Sequence, residues 1–263
     1  MQHKTKHYGW QPDLPDHRDF QFAVRPILLR KLPAQIDLRK YCPKVYDQGQ
    51  LGSCTANAIG AAFEFEQMKQ NTKHDFIPSR LFIYYNERVI EKSVDSDNGA
   101  QIRDGIKSIN KLGVCDEKIF PYDINKFTHK PSQACYSSAL KHQVTSYHRL
   151  TQKLANMKGC LAEGYPFVFG FTVYDEFESE AVAKTGKLNM PKSSEQLLGG
   201  HAVMAVGYDD KTKRFIVRNS WGNTWGQKGY FTMPYDYLFN NNLADDFWTI
   251  RLVEDTASVK KRN

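Results

Sequence analysis

Residues 46–62 read YDQGQLGSCTANAIGAA, and the reading of this stretch decides the fold. Turn formers Asp47, Gly49 and Gly52 give way at Ser53 to a run whose second residue is a single cysteine, Cys54. Ser53 is the expected N-cap. Ala58, Ala61, Ala62 and Phe65 then recur at three- and four-residue spacing, which predicts a helix over about 53–69. Small residues on several of its faces predict that the helix runs buried between other elements. The thiol has two readings. It is a small buried hydrophobe packed among alanines, or it is a nucleophile whose thiolate is favoured by the helix dipole and free backbone N–H groups.

A cysteine nucleophile needs a base or imidazolium partner and donors for a developing oxyanion. Most of the eight histidines lie in polar stretches. His201 differs, because GGHAVMAVGYDD places it after two glycines at the head of an apolar strand. Further on, RNSWGNTWGQKGYF sets Asn219 at a strand end, followed by Trp221 and Trp225 among glycines. An asparagine oxygen can accept an imidazole N–H and fix its tautomer. Each residue also has a structural reading: His201 as a core histidine, Asn219 as a strand terminator, Gln48 as a turn residue and Trp225 as core.

Taken in order, Gln48-Gly49-x-x-Gly52-Ser53-Cys54, Gly200-His201-Ala202-Val203 and Asn219-Ser220-Trp221-Gly222 resemble the papain family of cysteine peptidases, lysosomal cathepsins included. LPAQIDLRKYCP (32–43) resembles the start of that family's mature enzyme, and GYFTMPY its late strand. The separation of Cys54 and His201 falls in the family's range of roughly 130–150 residues. The resemblance implies Cys54 as nucleophile, His201 as acid/base and Asn219 as its orienter. It also implies that Gln48 donates to the oxyanion hole and that Trp221 shields the His–Asn bond from water. A thiolate–imidazolium pair of this kind implies activity from mildly acidic to neutral pH. For the dominant specificity pocket, which takes an apolar side chain, it implies Ala202, Leu198 and the turn at Asn98, Gly99 and Ala100, with Gly200 and Trp221 also lining the substrate cleft.

The chain departs from the family pattern at Leu51 and Thr55, where a disulfide-bonded cysteine and a tryptophan usually stand. It departs again upstream. The residues before Leu32 show no long amphipathic helix, and YGWQPDLPDHRDF resembles the short leader of some bacterial and giant-virus members. Residues 1–31 are therefore expected to contact the surface and partly cover the cleft, or else to brace the lobes.

The expected fold is α+β: a papain-like pair of lobes, a helical L lobe and a β-barrel R lobe, with the cleft between them. The leader spans 1–31. The L lobe spans 32–139, its first strand segment crossing to the other lobe. The R lobe spans 140–253, and 254–263 is a basic tail. Helices are read at 77–92 and at 102–113, the second closed by Gly113. Strands are read in FVFGFTVY, HAVMAVGY, RFIVRNSW, GYFTMPY and FWTIRLV.

The 263 residues include 41% hydrophobic and 25% charged, ordinary for a globular protein with a sizeable core. The net charge of +7 is scattered, with no zinc-finger, Walker or RNA-binding pattern, so no nucleic-acid partner is expected. No apolar run is long enough to span a membrane, and the N-terminus lacks a signal-peptide core. A cytoplasmic site, or a non-signal route such as a virion, is the expectation, with reduced thiols as the default for Cys42, Cys115, Cys135 and Cys160. No cysteine pair has metal-ligand spacing, so neither cofactor nor metal is expected. The expected activity is endopeptidase cleavage of a protein or peptide by a monomer. The alternatives are a catalytically restrained binding protein on the same fold and a transpeptidase sharing the acyl-enzyme step.

Overall fold

A computed structural model describes residues 8–24, 31–70 and 75–254. The strands are β1 (Trp10–Gln11), β2 (Gln35–Asp37), β3 (Ala100–Gln101), β4 (Val144–Arg149), β5 (Phe167–Tyr174), β6 (Leu197–Asp209), β7 (Arg214–Arg218), β8 (Tyr230–Pro234) and β9 (Ala244–Val253). The helices are α1 (Cys54–Lys69), α2 (Arg80–Glu91), α3 (Ile102–Lys111), α4 (Gln133–Ala139), α5 (Leu154–Ala162), α6 (Glu180–Thr185) and α7 (Tyr235–Phe239). The result is a mixed α+β molecule whose longer helices precede most of its strands.

Helix α1 is the axis on which the rest is assembled. Every residue from Cys54 to Gln67 is buried, so it has no solvent face, as its all-round small and apolar sequence requires. It packs on α2 and α3 on one side and on β6 and β9 on the other. Ser53 does not cap it through its side chain. Its hydroxyl meets the Tyr122 hydroxyl at 2.5 Å and accepts from Asn57 Nδ2 instead. The first backbone N–H groups of α1 are thus left without a Ser53 cap.

The large sheet is antiparallel in the order β4-β9-β5-β6-β7-β8, and β2 pairs with the far end of β6 through Gln35–Asp209. Among the described residues its hydrogen bonding runs as an open path. The strand β5 covers the whole of FVFGFTVY, and Gly113 follows α3 with a positive φ, against the Ala139 carbonyl. One element inside the β-rich half is helical. In α5, Met157, Cys160 and Leu161 are buried at helical spacing, a period masked by the strand-rich texture around it.

The buried apolar side chains form one continuous cluster, and Trp10, Phe22 and Val24 of the leader belong to it. Near Phe22 the leader adds a rung beside β4, with Phe22 N–H donating to Arg149 O at 2.8 Å and Arg149 N–H to Phe20 O at 2.7 Å. All five cysteines are free thiols. The tail beyond Glu254 lies outside the described residues, as do 1–7 of the leader. No described helix is long and apolar enough to cross a membrane.

Candidate active site

Helix α1 and strand β6 bring Cys54 and His201 together. The backbone N–H of Ala202, the residue after His201, points at Cys54 Sγ from 3.4 Å. On the next strand, Asn219 follows the end of β7, and its Oδ1 lies 2.9 Å from His201 Nε2. The same oxygen accepts the Ser220 backbone N–H at 2.8 Å, which fixes the amide's orientation. An accepting Oδ1 requires Nε2 to carry the proton, leaving Nδ1 as the basic nitrogen of the ring.

This pair is enclosed in aromatic rings. The Trp221 ring lies 5.2 Å from that of His201, Phe171 and Phe177 lie 5.8 and 6.1 Å away, and Trp225 stacks edgewise on Trp221. All four are buried. Excluding water lowers the local dielectric and strengthens the His–Asn bond.

Gln48 is held from both sides. Its backbone N–H donates to Ser220 O at 2.9 Å, the Ser220 hydroxyl donates to its Oε1 at 2.6 Å, and its Nε2 donates to Leu51 O at 3.0 Å. The Gly52 N–H next to that turn donates to the Asp97 carboxylate, which also receives the Tyr84 hydroxyl at 2.5 Å. Asp97 escapes sequence reading, since an aspartate in a loop carries no distinctive spacing; Ser220 stands in the quoted Asn219-Ser220-Trp221-Gly222 motif, but its bond to Gln48 is not legible there.

The leader fills the cleft. Gly9 passes over Cys54 so closely that a methyl group on it would fall 1.7 Å from the Gly52 carbonyl. The Gly9 carbonyl accepts the Ala100 N–H at 2.7 Å, and β1 runs parallel to β3 from that point. Gly99, with φ of +76°, would place a Cβ 2.0 Å from Gly9 O, so glycine is required there on both counts. The Trp10 indole lies flat in a slot made by Gly170 on β5 and Gly200 on β6; a Cβ on either would meet it at 1.9 or 2.7 Å. Tyr8 packs edgewise on His201 and reaches Glu178 with its hydroxyl at 2.5 Å.

Of the residues predicted to line the cleft, Gly99, Ala100, Gly200, Ala202 and Trp221 surround this channel. Leu198 lies at the rim, 39% exposed. Gly170 is an addition, invisible in sequence because it sits inside a strand pattern.

An ionic latch holds the next part of the leader. Asp13 accepts the Arg103 N–H and the Trp248 indole N–H, at 3.1 and 2.9 Å, and lies 3.3 Å from Arg149. Asp19 pairs with Arg103 at 2.6 Å. Asp246 accepts the Asp13 N–H, the Trp10 indole N–H and Arg149. Burial pushes the Asp246 carboxyl up to about 7, helped by the neighbouring Asp13 charge.

Cys54 is completely buried under this cover. Burial pushes its thiol up to about 12, although N–H groups of Ala202, Gly9 and Thr55 pull it down. Among the described residues no group of His, Cys, Asp and Glu side chains could hold a metal ion.

Known proteins resemble this chain in sequence and fold. Residues 32–245 match the model of the papain family cysteine proteases. A peptidase C1-like protein of Acanthamoeba polyphaga mimivirus is 47% identical, over 95% of this chain and 88% of its own. The crystal structure of xylellain, a cysteine protease from Xylella fastidiosa, superposes with a TM-score of 0.90 at 46% identity, covering 97% of this chain and 99% of that one. A procathepsin B of Trypanosoma congolense shares the fold at a TM-score of 0.76 and 19% identity, covering 95% and 87%. The chain belongs to the papain family of cysteine proteases.

Proposed function

We propose that the chain is a cysteine endopeptidase acting through Cys54, His201 and Asn219, with Gln48 in the oxyanion hole and the leader as a built-in cover. The observation that carries this reading is the oriented imidazole. Asn219 Oδ1, locked by the Ser220 N–H, holds Nε2, while the residue after His201 touches the Cys54 sulfur.

The chemistry follows in order. Displacement of Gly9 rehydrates the thiol, whose proton passes to His201 Nδ1. The resulting imidazolium and the N-terminus of α1 stabilise the thiolate. The thiolate attacks a peptide carbonyl, and the oxygen turns toward the Cys54 N–H and Gln48 Nε2. His201 protonates the leaving amine, and water then hydrolyses the thioester. The slot occupied by Trp10 is floored by Gly170 and Gly200 and ends on the buried Asp246 carboxylate, which accepts the indole N–H, and this supports a large aromatic residue at the dominant specificity position.

The complete cover over Cys54 favours a second statement about the same enzyme: its resting form is restrained. The leader is both cover and brace, because Tyr8–Gln11 fill the cleft while Phe22 and Val24 sit in the core. Hydrolysis of internally quenched peptides by the full chain tests the reading. Turnover lost in both Cys54→Ala and His201→Ala supports it; turnover that survives either substitution contradicts it.

A further inference from the structure

The short helical turn before α6 reads Asp175-Glu176-Phe177-Glu178, and its last two side chains part company. Phe177 turns inward onto Trp221, at 5.0 Å between ring centres. Glu178 stays partly exposed and meets the hydroxyl of Tyr8. The Tyr8 ring lies between, 6.0 Å from His201 and 6.5 Å from Trp221, with its Cβ against Gly199. A tyrosine-sized pocket therefore opens beside the imidazole, apolar along its length and closed at its far end by a carboxylate.

The side of the cleft is fixed by chemistry. His201 delivers a proton to the leaving amine, so the substrate residue carrying that amine sits beside the imidazole. Gly9 covers the sulfur, Trp10 lies on the other side of it, and Tyr8 marks the leaving-group side. We propose that Glu178 determines specificity for the residue just after the scissile bond. It selects a long side chain tipped with an N–H or O–H donor: arginine, lysine or tyrosine. The inference rests on the peptidase reading and adds a substrate class to it. A donor-tipped side chain takes the place of the Tyr8 hydroxyl at that carboxylate, an aliphatic one gains no charge-assisted bond there, and an acidic one would meet like charge.

The test uses the full chain with Tyr8→Ala and Gly9→Ala together, which empty the pocket and loosen the leader above the sulfur. Peptides identical except for arginine, tyrosine, leucine or glutamate after the scissile bond are compared by kcat/KM. The arginine and tyrosine peptides should lead leucine and glutamate by about tenfold, as a charge-assisted bond warrants. Adding Glu178→Gln should erase the arginine preference while leucine stays within about twofold. An unchanged ranking with Glu178→Gln overturns the proposal.

A second arm needs no turnover. In the otherwise native chain, alkylation of Cys54 by iodoacetamide is timed for Tyr8→Phe, Glu178→Gln and the pair. Faster labelling in each single variant, with no further gain in the pair, supports the contact as the pocket's recognition element. Independent effects or none overturn it. A chain that is alkylated but cuts no peptide contradicts the peptidase reading, and this cycle then decides the pocket by itself.

Discussion

The amide of Ala100 donates to the carbonyl of Gly9 at 2.7 Å, so the leader is hydrogen-bonded into the cleft directly above Cys54. Closure therefore depends on backbone groups, which no side-chain substitution removes. It also depends on steric fit at glycine.

Gly9→Ala tests that fit. Its methyl would fall 1.7 Å from Gly52 O, a contact that forces the leader to move. Each ~1.4 kcal/mol lost from the closed state raises the open fraction about tenfold. Initial peptide turnover by the full chain should rise by at least about tenfold. Unchanged or lower turnover, with the fold intact by circular dichroism, would show that the leader does not limit access.

Ser220→Ala should lower kcat with little change in KM. The serine hydroxyl bonds Gln48 Oε1, so its loss frees the carboxamide to rotate away from a developing oxyanion. Removing one such donor outright costs about 10²–10³ in kcat. Gln48→Ala is expected near that range and Ser220→Ala at about a tenth of the effect. An equal rise in KM for both would mean that they bind substrate instead.

Stability should fall as pH rises from about 5 to 8. Burial pushes Glu64, Glu66, Glu91 and Asp246 each up to about 7. A carboxyl raised on folding means that the folded chain binds more protons. Its stabilisation is complete below the unfolded value near 4 and is lost as pH climbs through about 7. Thermal melts across this range should show the highest Tm at the acid end, and Asp246→Asn should flatten the slope. A Tm that climbs toward pH 8 would contradict the assignment.

Glu87 lies in α2 against the helix that Cys54 opens. It is fully buried and receives the Thr55 hydroxyl at 2.6 Å, and burial drives its carboxyl far above the ordinary range. A neutral acid is mimicked by glutamine, so Glu87→Gln should cost under about 1 kcal/mol at pH 7. Glu87→Ala leaves a cavity and an unpartnered Thr55 hydroxyl and should cost about 2–4 kcal/mol. Urea melts separate the two. A large loss in Glu87→Gln would mean that the group is ionised in the native state.

The candidate site is legible in sequence because each part carries a local constraint. Cys54 opens a helix of small residues, His201 heads an apolar strand, and Asn219 ends the adjacent one. The α+β class and the limits of β5 followed from alternation and turn residues. What stayed hidden depends on contacts distant in sequence. Asp13 and Asp246 are joined by a single N–H···O bond across almost the whole chain. Gly170 looks like a weak point in a strand until the Trp10 indole is laid on it. Ser53 reads as an N-cap, but Tyr122 and Asn57 compete for its hydroxyl. The α5 period is masked by the strands that flank it on both sides.

The most direct test of the account is mass-spectrometric timing of a peptidyl epoxysuccinyl thiol inhibitor reacting with the full chain. A single adduct on Cys54 is predicted, slow in the native chain, at least about tenfold faster in Gly9→Ala, and absent in Cys54→Ala and His201→Ala. Labelling spread over several cysteines, or equal rates with and without His201, would contradict it.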